Sequence, residues 1–120
     1  VKPSDRSALP LALAFTAIGI RHFTHPEPFD RIVPPSVPMS PRTATLVSGA
    51  AEIAGGLGLL LPTTRPAARW GLIALLVAVF PANIYMARHP EQYRPLPRWA
   101  LLARLPLQPL LAWWVYRAGR

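Results

Sequence analysis

The stretch AARWGLIALLVAVFPANIYMA, residues 67–87, decides the fold. Between Arg69 and Arg88 it carries no charged side chain, and Leu, Ile, Val, Ala and Phe fill most of it. At 1.5 Å per residue a helix of this length spans about 31 Å, close to the ~30 Å hydrocarbon core of a bilayer. Trp70 opens the run and Tyr85 closes it, where amphipathic rings meet lipid headgroups. The stretch reads as a membrane-spanning helix.

Three further apolar blocks lie on either side: SALPLALAFTAIGIRHF (7–23), TATLVSGAAEIAGGLGLLL (43–61) and RWALLARLPLQPLLAWWVY (98–116). Each approaches the ~17–25 residues that cross a bilayer as a helix. The expected fold is all-α: a polytopic membrane protein with four transmembrane helices (about 7–23, 43–61, 67–87 and 98–116). They are expected to form an up-down antiparallel bundle, a single membrane domain over residues 1–120. The segment THPEPFDRIVPPSVPMSPR, residues 24–42, joins helices 1 and 2. Its six prolines are mixed with Phe29, Ile32, Val33, Val37 and Met39, more apolar residues than a disordered linker carries. It is expected to be an ordered, extended, Pro-rich loop capping one end of the bundle.

Hydrophobic residues make up 52% of the chain and charged ones 15%. An ordinary soluble domain carries roughly 25% charged residues, interspersed along its helices. The net charge of +8 comes from cations that punctuate block ends: Lys2, Arg6, Arg65, Arg69, Arg88, Arg94, Arg98, Arg117 and Arg120. That spacing suits phosphate headgroups, and it lacks the basic face with interleaved base-reading groups that nucleic acid requires. The lipid bilayer is therefore the expected partner, and nucleic acid is not.

The chain contains no cysteine, which excludes disulfides, thiol catalysis, Cys-ligated zinc and iron–sulfur clusters. His22, His25 and His89 flank prolines in basic loops, and no metal site is expected. The GGLG run at 55–58 lies inside a helix, where close helix packing explains it. No small-x-small cleavage pattern follows the first block, so that block is expected to remain. Lys and Arg number six on each side of the expected bundle, so the positive-inside rule does not orient it. The working orientation has both termini cytoplasmic, in a bacterial cytoplasmic (inner) membrane.

Ionisable groups at membrane depth cost a few kcal/mol each and need a partner or a purpose. His22 ends the first helix, and Asn83 is near the same end of the third. Glu52 lies about nine residues (roughly 13 Å) in from that end, and Arg104 about six residues (roughly 9 Å). All four fall in one half of the bilayer, which predicts a shared cavity opening at the end covered by the Pro-rich loop. Ser48 lies one turn from Glu52, and Gln108 one turn from Arg104. The candidate pocket residues are thus His22, Ser48, Glu52, Asn83, Arg104 and Gln108. Pro81, Pro106 and Pro109 free backbone carbonyls beside this set. Two readings remain open: a ligand pocket, or a Glu52–Arg104 pair that holds the bundle together and binds nothing.

The stretches GIRHFTHPEPFDRIVPP (19–35), SGAAEIAGGLGLLLP (48–62) and GLIALLVAVFPANIYMA (71–87) resemble the DoxX family of small four-helix membrane proteins. They are most similar to its DoxX-like branch with a Pro-rich first loop. The matching positions are His22 and Phe23, Pro26 and Phe29, Glu52, and residues 81–87. The resemblance implies a membrane or accessory subunit of an oxidoreductase system, as in thiosulfate:quinone oxidoreductase, or an assembly factor for membrane proteins. It implies no stand-alone enzyme. The absence of cysteine departs from members that relay thiols.

On this reading the pocket holds an amphipathic small molecule such as a quinone. Glu52 and His22 would exchange protons, and Arg104 and Asn83 would donate to a carbonyl. No cofactor belongs to the chain itself, so electrons would come from a membrane or soluble redox partner protein, and self-association is a further option. The contrasting expectation is a non-catalytic interaction or chaperone-like protein whose polar cluster is structural.

Overall fold

The computed structural model describes residues 3–93 and 96–119; of the block-end cations, Lys2, Arg94 and Arg120 lie outside them. The chain is all-helical, with no strand among the described residues. Four long helices carry the fold: α1 (Pro3–Thr24), α3 (Pro41–Gly58), α4 (Arg65–Arg88) and α5 (Arg98–Ala118). A one-turn helix, α2 (Glu27–Asp30), lies between α1 and α3, and a 3₁₀ turn, Pro90–Tyr93, between α4 and α5.

The chain reverses direction at each long connection, and side chains tie the ends. Trp114 Nε1 donates to Ser7 Oγ at 2.9 Å, joining the end of α5 to the start of α1. Tyr93 Oη donates to the Arg31 carbonyl at 3.1 Å, joining the two connections at the opposite end. The helix pairs α1–α3, α3–α4, α4–α5 and α1–α5 all pack.

The α1–α3 contact is the closest. A Cβ on Gly49 would sit 2.5 Å from His22 Cβ, and one on Gly19 would sit 2.8 Å from the Gly49 carbonyl oxygen. Only residues without side chains let two helix backbones approach this closely. The main core, buried among α1, α4 and α5, includes Leu11, Phe15, Leu72, Leu76 and Val115, with Leu59 closing one end.

Local chemistry explains the boundaries. Ser40 caps α3, accepting from the Thr43 N–H at 3.2 Å, and Pro41 fills the first helical position, where its missing N–H costs nothing. At the other end α3 stops at Gly58, about a turn before the expected 61. There Thr64 Oγ1 donates to the Gly58 carbonyl at 2.7 Å, and buried Arg65 donates through Nε to the Leu59 carbonyl at 2.8 Å. These side chains take carbonyls that a longer helix would have satisfied with backbone. The first helix begins at Pro3, a turn earlier than expected. The Pro-rich segment is ordered but not simply extended, since residues 27–30 coil into α2.

One described helix, Arg65–Arg88, is long and apolar enough in composition to cross a membrane, and 28% of its most apolar window is buried. The other long helices do not meet that standard. They are diluted by Arg21 and His22 in α1, by Glu52 and the glycines in α3, and by Arg104, Gln108 and two prolines in α5.

Candidate functional site

Of the residues marked by the sequence, four form two pairs in different parts of the bundle. His22 and Glu52 meet across the α1–α3 contact, with Nδ1 and Oε2 3.3 Å apart. The imidazole is buried, pressed on one side by Gly49 and stacked on its face by Phe29, with ring centroids 3.8 Å apart and planes 20° from parallel. His22 Nδ1 also lies 2.8 Å from the Ile18 carbonyl. The hydrogen on that nitrogen serves the carbonyl, which leaves Glu52 Oε2 buried without a hydrogen-bond donor. Phe29 comes from α2, so the Pro-rich connection seals this pair from above.

Asn83 and Gln108 form the second pair, across α4 and α5. Asn83 Nδ2 donates to Gln108 Oε1 at 2.7 Å, and Gln108 Nε2 donates to the Leu76 carbonyl at 3.1 Å. The acceptor lies next to Val77, whose carbonyl Pro81 cannot serve. The polar side chains thus gather where proline disturbs the backbone. Beside them runs a groove of about 400 Å³ lined by Leu76, Val77, Phe80, Pro81, Gln108, Pro109 and Ala112. Gln108 is the polar side chain in an otherwise apolar wall. A carboxamide nitrogen has two hydrogens, and the Leu76 carbonyl uses one, so one N–H remains for a ligand.

Arg104 joins neither pair. Its side chain is exposed, and Nη1 reaches the sulfur of Met86 at 3.6 Å. The expected Glu52–Arg104 contact does not form: among the described residues the Glu52 carboxyl lies against the His22 imidazole instead. Spacing along a helix sets depth but leaves open which neighbour a face meets, and α5 packs on α4 and α1. Ser48 is half-buried on α3, and no hydrogen bond links it to Glu52.

Arg104 instead lines a second, smaller pocket of about 210 Å³ at the α2 end of the bundle, with Phe29, Arg31, Ile32, Met86 and Tyr93 among its walls. Arg31 and Tyr93 carried no functional signal in the sequence; they reach the pocket because the connections that hold them fold over the same bundle end. Among the described residues no group of three or more His, Asp or Glu could hold a metal ion.

A further acid, Asp30, is tied to Arg42 Nε at 2.9 Å, linking α2 to the first turn of α3. The Thr45 hydroxyl beside it holds the Asp30 carboxyl below the ordinary carboxylate range; burial opposes this and Arg42 adds to it.

The fold and these sites define a small all-helical bundle with an apolar groove between two proline-bearing helices and a cationic pocket at one end. The chain belongs to the family described as a domain of unknown function, DUF8561, whose model matches residues 11–119. This corrects the resemblance to DoxX: the model covering nearly the whole chain belongs to a different family, and no DoxX model matches. The quoted stretches share small residues at helix contacts and aromatics and prolines at helix ends, features that follow from packing short apolar helices in general. Neither a curated protein nor a solved structure matches the chain.

Proposed function

We propose that this chain is an integral membrane protein, its four long helices crossing the bilayer, that binds an amphipathic small molecule in the groove between α4 and α5. One observation carries the membrane reading: all four long helices present large apolar side chains outward. Leu9 and Leu13 on α1, Val47 and Leu57 on α3, Val77 on α4, and Leu107 and Leu110 on α5 are each at least half exposed. In water so many exposed large apolar side chains would be an aggregation hazard. In lipid they are solvated. The most apolar window of α4 is mainly exposed, unlike the central helix of a soluble core. The longest dimension of the molecule, 46 Å, is near the ~40–45 Å of a bilayer with its headgroups.

At the end formed by the termini of α4 and α5, aromatics and cations interleave as at a membrane surface. The Arg69 guanidinium lies 4.9 Å from the ring centres of both Trp70 and Tyr116, and that of Arg117 lies 5.7 Å from Trp113.

The ligand reading rests on the groove. Its volume falls within the ~300–1,000 Å³ of small-molecule sites, and a single spare amide donor in an apolar wall suits an amphiphile bearing a carbonyl. The head of a quinone is of this class. Any redox role would place the chain as a subunit beside an electron-carrying partner.

The chain has no cysteine, so single cysteines report topology cleanly. Full-length protein should stay with membranes through alkaline carbonate. Cysteines replacing Ser36 and Thr63 should react with an impermeant maleimide from opposite sides. Release by carbonate, or labelling from one side, would overturn the membrane reading. For the ligand, a photoreactive quinone should label wild type, and Gln108→Leu should remove most of that labelling while helicity persists. Undiminished labelling would leave Asn83 and Gln108 as interhelical hydrogen bonds only.

A further inference from the structure

We propose that the pocket between Arg31 and Arg104 is an anion site for the phosphate or carboxylate head of an amphiphile. It is separate from the α4–α5 groove and rests on the membrane reading only for the source of the anion.

Two arginines, Arg31 and Arg104, line the same small pocket, and none of its walls is acidic: Pro28, Ile32, Met86 and Leu96 are apolar, Phe29 and Tyr93 aromatic. The acids nearest in sequence are engaged elsewhere or turned outward. Asp30 binds Arg42, while Glu27 and Glu91 are exposed. Arg31 forms no ion pair among the described residues, and Arg104 reaches the neutral thioether of Met86. Positive charge converging on a concave surface without a counter-charge is what an anion completes, and guanidinium forks match the oxygens of phosphate and carboxylate.

The pocket is also held in shape. Tyr93 is buried, and its hydroxyl donates to the Arg31 carbonyl. That bond fixes the end of α2, where Arg31 sits, against the 3₁₀ turn. Burial is the main cause that raises the Tyr93 phenol above its ordinary value. It therefore stays a hydrogen-bond donor at any physiological pH.

Size narrows the ligand. At about 210 Å³ the pocket is smaller than sites that enclose a drug-sized molecule, so it takes a head group while the tail leaves it. Phe29, Ile32 and Met86 offer the first carbons an apolar wall. Two sources share this chemistry: an anionic phospholipid at the membrane surface and a free phosphate compound from the water phase.

The test uses the full chain in neutral detergent, with binding followed by native mass spectrometry and by thermal shift. The probes are dioleoyl phosphatidylglycerol, dioleoyl phosphatidylcholine and inorganic phosphate. Phosphatidylglycerol should bind more tightly than phosphatidylcholine. Arg31→Gln and Arg104→Gln should each weaken it about tenfold, as for loss of one charge-assisted contact. Arg98→Gln, at the same end but outside the pocket, should change it less than twofold. Arg31→Lys and Arg104→Lys, which keep charge but lose the fork, should fall between.

Binding of inorganic phosphate with the same arginine dependence would assign the site to a free anion; selective binding of the lipid would assign a head group. Equal weakening by all three glutamine variants, or no binding of either anion, would overturn the proposal. Should the chain prove soluble, the membrane reading fails while the phosphate arm still decides this one.

Discussion

His22 Nδ1 lies 2.8 Å from the Ile18 carbonyl of its own helix and 3.3 Å from Glu52 Oε2 of the neighbouring one. One nitrogen faces two acceptors, and the imidazole is pinned between Gly49 and Phe29 so that it cannot turn away. His22→Ala would remove the Phe29 stack and open a cavity at the α1–α3 contact. The expected loss is about 2–4 kcal/mol of unfolding free energy. Glu52→Gln should cost less than 1 kcal/mol or stabilise slightly, since it removes an acceptor that has no donor. A double-mutant cycle read by denaturant unfolding in detergent should give a coupling of about 0.5–3 kcal/mol. Additivity within error would show that the two side chains are merely adjacent.

Glycines in equivalent helical settings should respond oppositely to alanine. Gly49→Ala forces a methyl against His22 Cβ and the Gly19 carbonyl, and should cost about 1–3 kcal/mol. Gly71 is exposed in α4 with no atom within 4 Å of the added carbon. Its replacement should gain roughly 0.5–1 kcal/mol from helix propensity. Thermal midpoints moving in the same direction would contradict the close α1–α3 contact.

Gln108→Leu strands the Asn83 amide and removes the bond to the Leu76 carbonyl, and should destabilise the bundle by about 1–3 kcal/mol. Adding Asn83→Leu should restore part of that loss, because removing both partners leaves fewer unpaired groups than removing one. A double variant less stable than the sum of the singles would argue against the direct bond.

Acid should loosen the α2–α3 link. The Asp30 carboxyl is held below its ordinary value, chiefly by the Thr45 hydroxyl and then by Arg42, against the effect of burial. A depressed folded pKa means the stabilisation is fully present above the unfolded value of about 4 and disappears as pH falls through the folded value. Amide exchange over residues 26–40 should therefore accelerate as pH drops below about 4, beyond the intrinsic pH effect. Asp30→Asn should abolish that additional change. Arg42 is largely exposed, so the effect on global stability should be small.

The long helices were legible because their signal is one-dimensional: apolar blocks of helix length separated by prolines and cations, of which, among the described residues, α4 alone is apolar and long enough by composition to cross a membrane. Boundaries moved by a turn or less where side chains reached back to helix ends, as Thr64 and Arg65 do for α3. The site was legible only in part. His22 meets Glu52 and Asn83 meets Gln108, pairings that the sequence did not specify. Arg104 did not join them because depth along an axis follows from counting residues, whereas azimuth depends on which helices become neighbours. Arg31 and Tyr93 were invisible for a related reason: they sit 62 positions apart in short connections, and only the folded bundle brings them together. The apparent family likeness rested on short motifs that any tightly packed apolar bundle tends to repeat.

The seam between Gly19 and Gly49 divides the molecule mechanically. Where two backbones touch there is no soft layer to compress, so α1 and α3 behave as a single stiff plank. Across from them, Pro81, Pro106 and Pro109 delete hydrogen bonds from α4 and α5. Breathing should therefore concentrate in the half of the molecule that contains the groove, and on the membrane reading proposed above a guest would enter past the hinged wall while the rigid one holds its shape.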